Sequence, residues 1–240
     1  MINPLHFKTY NPWLDQIRAK LDLPSESYTV IKEEEWNRKQ ISNVFKAFDN
    51  PFTTMTANVD ITNLRNVSKE KKLPISDAIL YMIGKTVKDI PEFHYRFKDN
   101  KVVKYDDFCL GMTFANDKDL YNYVNLDYSD DPLKFIKNVK QKSEEGKIRE
   151  GLFDEPRENA IYLSCVPWVN FTSLASPVNN YAKDSAPRIV WGGFSNDKTT
   201  MPVALEVHHS FMDGRHMGMF YRKLQENLNN AREIFRNVGN

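Results

Sequence analysis

Cysteine is nearly absent from this chain: two residues, Cys109 and Cys165, in 240. Two thiols so far apart in sequence make no disulfide framework and have no metal-ligand spacing. The composition therefore points to a reducing compartment, the cytoplasm, and to no metal site. Glycine is sparse, at nine residues. None forms a Gly-rich turn from a strand into a helix, which excludes a nucleotide-phosphate fingerprint. An excess of charge is also missing, since 33 Lys and Arg against 32 Asp and Glu leave +1, with no basic footprint for nucleic acid. No apolar run reaches the ~20 residues of a membrane-spanning helix. The stretch Met1 to Lys8 lacks the basic and apolar regions of a signal peptide. There is no internal repeat and no low-complexity tract.

What is present is an interleaved series of helices and strands without regular βαβ alternation. That pattern predicts an α+β fold, a two-layer sandwich with a mixed sheet and helices packed on it. Asn11-Pro12 predicts the start of a short helix carrying Trp13, Leu14, Ile17 and Leu21, inside an N-terminal extension over 1–27. A single domain follows over 28–240. Within it, helices are expected from Glu33 to Phe48, with Trp36, Val44, Phe45 and Phe48 inward, from Pro74 to Lys88, from Asp131 until fraying near Gly146, and from Gly214 onward. Asp60 is expected to cap a short helix through Leu64 and Val67. Strands are expected at 52–59, 109–115, 120–126, 160–166, 169–174, 188–194 and 201–208. A hairpin of 93–97 with 102–105 turns at Asp99-Asn100.

The motif richest in chemistry is His208-His209-Ser210-Phe211-Met212-Asp213-Gly214. Only five histidines occur in the chain, and two are here. Imidazole titrates near neutral pH and can serve as a general base without a large shift. Along a strand ending at the histidines, Val203, Leu205, Val207 and His209 share one face, and Glu206 and His208 the other. A pair of satisfied core or surface histidines is the bland alternative. Adjacent strand positions point apart, which argues against a shared metal.

Three further segments join this motif: Trp36-Asn37-Arg38-Lys39, Glu158-Asn159 leading to Ser164-Cys165-Val166-Pro167-Trp168-Val169-Asn170-Phe171, and Ala186-Pro187 with the strand after it. With Pro202 through Gly214 and Gln225-Glu226, the chain resembles the chloramphenicol acetyltransferases over roughly Glu33 to Asn229. The His-His-x-x-x-Asp-Gly element alone is shared with dihydrolipoyl acyltransferase cores and condensation domains. The resemblance implies acetyl-CoA as co-substrate, a small-molecule hydroxyl acceptor, and a homotrimer with its sites at subunit interfaces. It implies His209 as the catalytic base, Ser164 as a donor to the oxyanion, and Asp213 with Arg38 as the ion pair that supports the histidine loop. The acceptor pocket is implied at Val44, Phe45, Tyr162, Leu174 and Val190, with His209 reaching the Val44, Phe45 and Leu174 region of the next chain. Phe194 stands where the family contacts coenzyme A.

Several positions depart from the pattern. Phe45 stands where a tyrosine is common, Val190 where a threonine is expected, Ser176 in place of an apolar residue, and Leu174 where phenylalanine is frequent. Trp36 and Trp168 are read as core aromatics, His208 as structural, and His94 and His216 as having no identifiable partner. The same chemistry on another hydroxyl, or a non-catalytic trimer that binds acyl-CoA, are the alternative functions.

Overall fold

The structure, a computed structural model, describes residues 26–115, 120–149, 157–178 and 184–238. The helix expected from Asn11-Pro12 lies outside these residues. The described elements are β1 (Tyr28–Val30), α1 (Lys39–Phe45), β2 (Phe52–Asp60), α2 (Thr62–Glu70), α3 (Ile75–Lys88), a 3-10 turn (Pro91–His94), β3 (Tyr95–Lys98), β4 (Lys101–Tyr105), β5 (Cys109–Ala115), β6 (Tyr121–Asp127), α4 (Pro132–Ile148), β7 (Ala160–Val166), β8 (Arg188–Gly192), β9 (Thr200–His208), α5 (Gly214–Asn229) and α6 (Ala231–Ile234).

Local chemistry sets their ends. Asp131 accepts hydrogen bonds from the Leu133 and Lys134 N–H groups, and Pro132 occupies the first helical position of α4, where no N–H is needed. Asp60 accepts from Thr62 N–H at the start of α2. In the β3–β4 hairpin, Asp99 and Asn100 both have left-handed backbones, φ 49° and 61°. That is the geometry of a two-residue turn matched to the strand twist.

Six strands form one mixed sheet in the order β2-β9-β8-β7-β5-β6. The β5–β7 and β7–β8 pairs are parallel and the other pairs antiparallel. β1, β4 and β3 make a smaller antiparallel sheet. Alternation then sorts the side chains of the large sheet. Ile161, Leu163, Ile189, Trp191, Val203, Leu205 and Val207 join Leu80, Ile83, Phe220 and Leu224 of α3 and α5 in the core. Fully burying each such side chain stabilises the fold by about 1.5–3 kcal/mol, which fixes the sheet register. The two-layer α+β expectation is met.

The opposite face carries the polar residues, in ranks set by the register. One rank runs Tyr123, Thr113, Ser164, Val190, Ala204, Thr56, and the next Asn125, Gly111, Tyr162, Arg188, Glu206, Thr54.

Several boundaries differ from the sequence reading. The helix expected over 33–48 forms only over Lys39–Phe45; Val44 and Phe48 are exposed, and Ser42 is its buried residue. The inner side of α1 rests on the histidine loop, where Ser210 Oγ donates to the Ser42 carbonyl, so a small residue occupies that contact. Residues 169–174 form no strand. Gly193 N–H donates to the Val169 carbonyl, and Asn170 donates its side-chain amide to the Gly193 carbonyl. A Cβ at Gly193 would lie 2.5 Å from the Pro167 carbonyl oxygen. This close crossing ends β8 at Gly192 and sends the segment over the polar face. Gly146 does not fray α4 but is buried against Val124. Trp168 is 83% exposed, not a core residue, whereas Trp36 packs against Tyr95 and Phe211 as expected.

Candidate active site

The predicted site residues fall into two clusters, one on the loop after β9 and one midway along the polar face of the large sheet. The first is built on the loop after β9. His209 lies one residue past the strand, where its N–H donates to the Pro51 carbonyl. Its ring stacks on Phe45 of α1, with centroids 3.9 Å apart and planes 15° apart. Its Nδ1 is buried without a hydrogen-bond partner among the described residues.

Arg38, just ahead of α1, holds this loop by three contacts. Its Nη1 donates to Asp213 Oδ2 at 2.8 Å, Nη2 to the His209 carbonyl at 3.1 Å and Nε to the Ser210 carbonyl at 3.0 Å. Asp213 also caps α5, accepting from Arg215 N–H. His216 Nδ1 lies 2.8 Å from Asp213 Oδ1 and its Nε2 3.6 Å from Glu92, so His216 does have partners, against the sequence reading. Burial alone would raise the Asp213 carboxyl, but the hydrogen bonds from Arg38 and His216 hold it well below the ordinary carboxylate range.

His208 is a packing residue. Its ring meets Phe52, Phe97 and Phe211, and its Nδ1 accepts from Ser210 N–H. Burial, then the neighbouring His209 and Lys46, lower its pKa to about 4. An unfolded histidine titrates near 6.5, so the unfolded chain binds the extra proton first as pH falls. The stability contributed by neutral His208 is complete above about pH 6.5 and drains away toward pH 4; by pH 5 the loss is about 2 kcal/mol. Urea unfolding at pH 7 and pH 5 should show a smaller pH loss in His208→Gln than in the unsubstituted protein. Equal losses would mean that His208 does not titrate this way.

The second cluster surrounds Ser164 on the polar face. Val190 sits beside it on β8 and contributes no hydrogen-bonding atom. Thr113 sits beside it on β5, with the hydroxyl oxygens 3.3 Å apart. Sequence reasoning missed Thr113, because nothing local marks it: 51 residues separate it from Ser164. Tyr162 lies one rank away and is partly exposed. Next to it is a buried ionic group that the sequence reading also missed. Arg188 pairs with Asp184, its Nε lies 3.8 Å from Glu206, and its guanidinium lies over the Phe52 and Tyr162 rings. Burial raises the Glu206 pKa, opposed by Arg188. Leu174 and Ser176 belong to the crossing segment, where Ser176 N–H donates to Glu206.

The register measures the gap between the clusters. Ser164 is level with Ala204 through Val190, and His209 is five residues further along. That is about 16 Å along the strand and about 10 Å across two strand spacings. One chain does not bring His209 and Ser164 onto the same atom. Phe45 stacks on the histidine of its own chain.

Phe194 follows the end of β8, beside a cavity of about 330 Å³ lined by Arg65, Ser68, Lys69, Lys72, Leu73 and Ile75. Three cations around an aromatic wall suit a ligand with phosphates. Among the described residues no group of three or more His, Cys, Asp or Glu stands close enough to share a metal ion. No helix there is long and apolar enough to cross a membrane.

A mixed sheet with one helical layer, a His-His loop clamped by Arg and Asp, and a serine on the polar face are the features of an acyltransferase. The family profile described as "Chloramphenicol acetyltransferase" matches residues 26–225, and the chain belongs to that family. A chloramphenicol acetyltransferase of Escherichia coli is 28% identical over 205 residues, covering 83% of this chain and 93% of its own. A solved chloramphenicol acetyltransferase superposes with a TM-score of 0.75 at 25% identity, over 84% of this chain and all of that one. The cubic core of a pyruvate dehydrogenase multienzyme complex superposes with a TM-score of 0.62, covering 98% of this chain and 99% of that one. At 15% identity, that likeness shows the fold alone.

Proposed function

We propose that this protein transfers the acetyl group of acetyl-CoA to a hydroxyl of chloramphenicol, as a homotrimer in the cytoplasm. The observation that carries the reading is the locked presentation of His209. Arg38 grips the carbonyls of His209 and Ser210 together with Asp213, while the ring keeps Nδ1 without a hydrogen-bond partner among the described residues. An imidazole held in this way is suited to take a proton from an acceptor hydroxyl.

In the proposed reaction His209 removes that proton as the hydroxyl oxygen attacks the thioester carbonyl. Ser164 donates its hydroxyl hydrogen to the oxyanion that forms. Collapse releases coenzyme A as a thiolate, to which His209 returns the proton. No bond to the enzyme forms. Arg65, Lys69 and Lys72 would hold the phosphates of coenzyme A beside Phe194.

The gap between the two clusters supports assembly, in which His209 of one subunit would meet Ser164, Tyr162 and Val190 of its neighbour. Around its own His209, α1 and the turn after it leave Ile41, Val44 and Phe48 exposed. This apolar face is one that an adjoining copy would cover. Cyclic threefold closure gives three equivalent sites.

A second reading keeps the chemistry and changes the acceptor. It is favoured by the ionic row of Arg188, Asp184 and Glu206 with Tyr162 beside Ser164, and by Phe45 and Val190, which offer no hydroxyl. Thiol release from acetyl-CoA, measured with chloramphenicol and with a panel of other alcohols, separates the readings. Release that depends on the drug supports the first. Release with another alcohol alone supports the second. Coenzyme A binding with no turnover on any alcohol would leave a non-catalytic trimer.

A further inference from the structure

We infer that Thr113 is a positioning residue that aims the Ser164 hydroxyl hydrogen at the reacting carbonyl oxygen. The inference rests on the proposed oxyanion role of Ser164. It starts from the rank across the polar face, in which Ser164 is flanked by Val190 on β8 and Thr113 on β5. A serine hydroxyl has one hydrogen and rotates freely about its Cβ–O bond. To stabilise an oxyanion, that hydrogen must already point at the place where charge will develop. Val190 exerts no directional pull on it. Thr113 Oγ1, 3.3 Å away, is the hydrogen-bond partner of Ser164 Oγ among the described residues.

Proton counting fixes the direction of the bond in the working enzyme. Each hydroxyl owns one hydrogen. Once the oxyanion takes the hydrogen of Ser164, the only hydrogen left for the Ser164–Thr113 pair belongs to Thr113. Thr113 therefore donates to Ser164 Oγ, and Ser164 donates to the substrate. A donor that itself accepts a hydrogen bond is polarised and becomes a stronger donor. The pair is expected to tighten from 3.3 Å toward the usual O–H···O distance of about 2.8 Å as charge builds.

Backbone geometry makes this arrangement durable. β5 and β7 are parallel neighbours, with Met112 level with Leu163. Both side chains thus rise from adjacent strands of one sheet rather than from a loop. Met112 and Leu163 point into the core on the other face, which anchors both strands at this point. Thr113 is also β-branched, so its χ1 is restricted and its hydroxyl is held in place. Sheet geometry and side-chain chemistry together give Thr113 a role that a neutral spacer would not fill.

The test uses Thr113→Val, which keeps the shape and removes the hydroxyl, and Thr113→Ser, which keeps the hydroxyl. Each is made in the unsubstituted enzyme and in Ser164→Ala. Thr113→Val is expected to lower kcat about 10-fold, part of the 10²–10³ that a lost oxyanion donor costs, with KM for both substrates unchanged. Thr113→Ser should stay close to the starting rate. In the Ser164→Ala background Thr113→Val should have no further effect on kcat, because the hydroxyl it would orient is gone. An unchanged kcat in Thr113→Val alongside a damaged Ser164→Ala enzyme would overturn the inference. An equal loss in both backgrounds would also overturn it, since a packing role does not depend on the Ser164 hydroxyl. An unimpaired Ser164→Ala enzyme would remove the reading of Ser164 itself, and the inference with it.

Discussion

His209→Ala should lower acetyl transfer by about 10²- to 10⁴-fold, the usual worth of a positioned general base, while the chain stays folded. The fold should survive because the structural work of this loop is done by other atoms. Arg38 holds the His209 backbone carbonyl, not its ring. Asp213 caps α5, and His208 supplies the packing against Phe52, Phe97 and Phe211. What the alanine removes is the stack on Phe45 and the imidazole itself. The check is steady-state turnover beside a thermal midpoint: turnover collapses and the midpoint moves little. A variant with normal turnover would take the histidine out of the chemistry.

Removing one member of the Arg38–Asp213 pair is the second large effect, and here stability should fall along with rate. Arg38→Ala would strand Asp213 and release the His209 and Ser210 carbonyls in one step. Truncating one side of a buried pair costs about 3–5 kcal/mol because the partner charge is left behind. The Asp213 side chain is 31% exposed and the Arg38 side chain 11%, so water screens part of this and the low end, about 3 kcal/mol, is expected. Asp213→Ala should cost a similar amount, because it also removes the cap of α5. The double variant should cost much less than the sum, and a double-mutant cycle on unfolding free energies reads that coupling. The folded Asp213 carboxyl is held below its unfolded value. Its share of the stability is therefore present above about pH 4 and is lost as pH falls further. Additive single effects would mean that the pair does not act as a unit.

Most of the large sheet was legible in the sequence because each strand buries one face and alternates along it. Val203, Leu205 and Val207 point to the helices as the alternation requires, and Asp131-Pro132 starts α4 by the chemistry of its two residues. Residues 33–48 were harder. Trp36, Val44, Phe45 and Phe48 read as one helical stripe, yet only Trp36 is buried and Val44 and Phe48 are exposed. A pattern of apolar residues says that a face is to be covered, not whether its own chain covers it. Residues 169–174 look like a strand because Val169 and Phe171 alternate with Asn170 and Thr172, but the close approach of Gly193 to Pro167 and Val169 diverts them.

The histidine loop was legible as a motif, and Arg38 with Asp213 came with it. Thr113, the Arg188–Asp184–Glu206 group and the links from His216 to Asp213 and Glu92 were not. Most of these contacts depend on strand register or on loops meeting across the fold, and neither leaves a local signature. Register also set the distance between His209 and Ser164, which no motif contains.

In the proposed trimer that distance is spanned between subunits, and the two halves of the site belong to different copies of the chain. Mixing His209→Ala with Ser164→Ala under conditions of verified subunit exchange tests it directly. Each inactive chain keeps the half that the other has lost. In randomly mixed trimers about one site in four would pair an intact His209 with an intact Ser164, so activity should return to about a quarter of the unsubstituted level. A mixture no more active than the two variants kept apart would place both groups at a site within one chain, and would contradict the account.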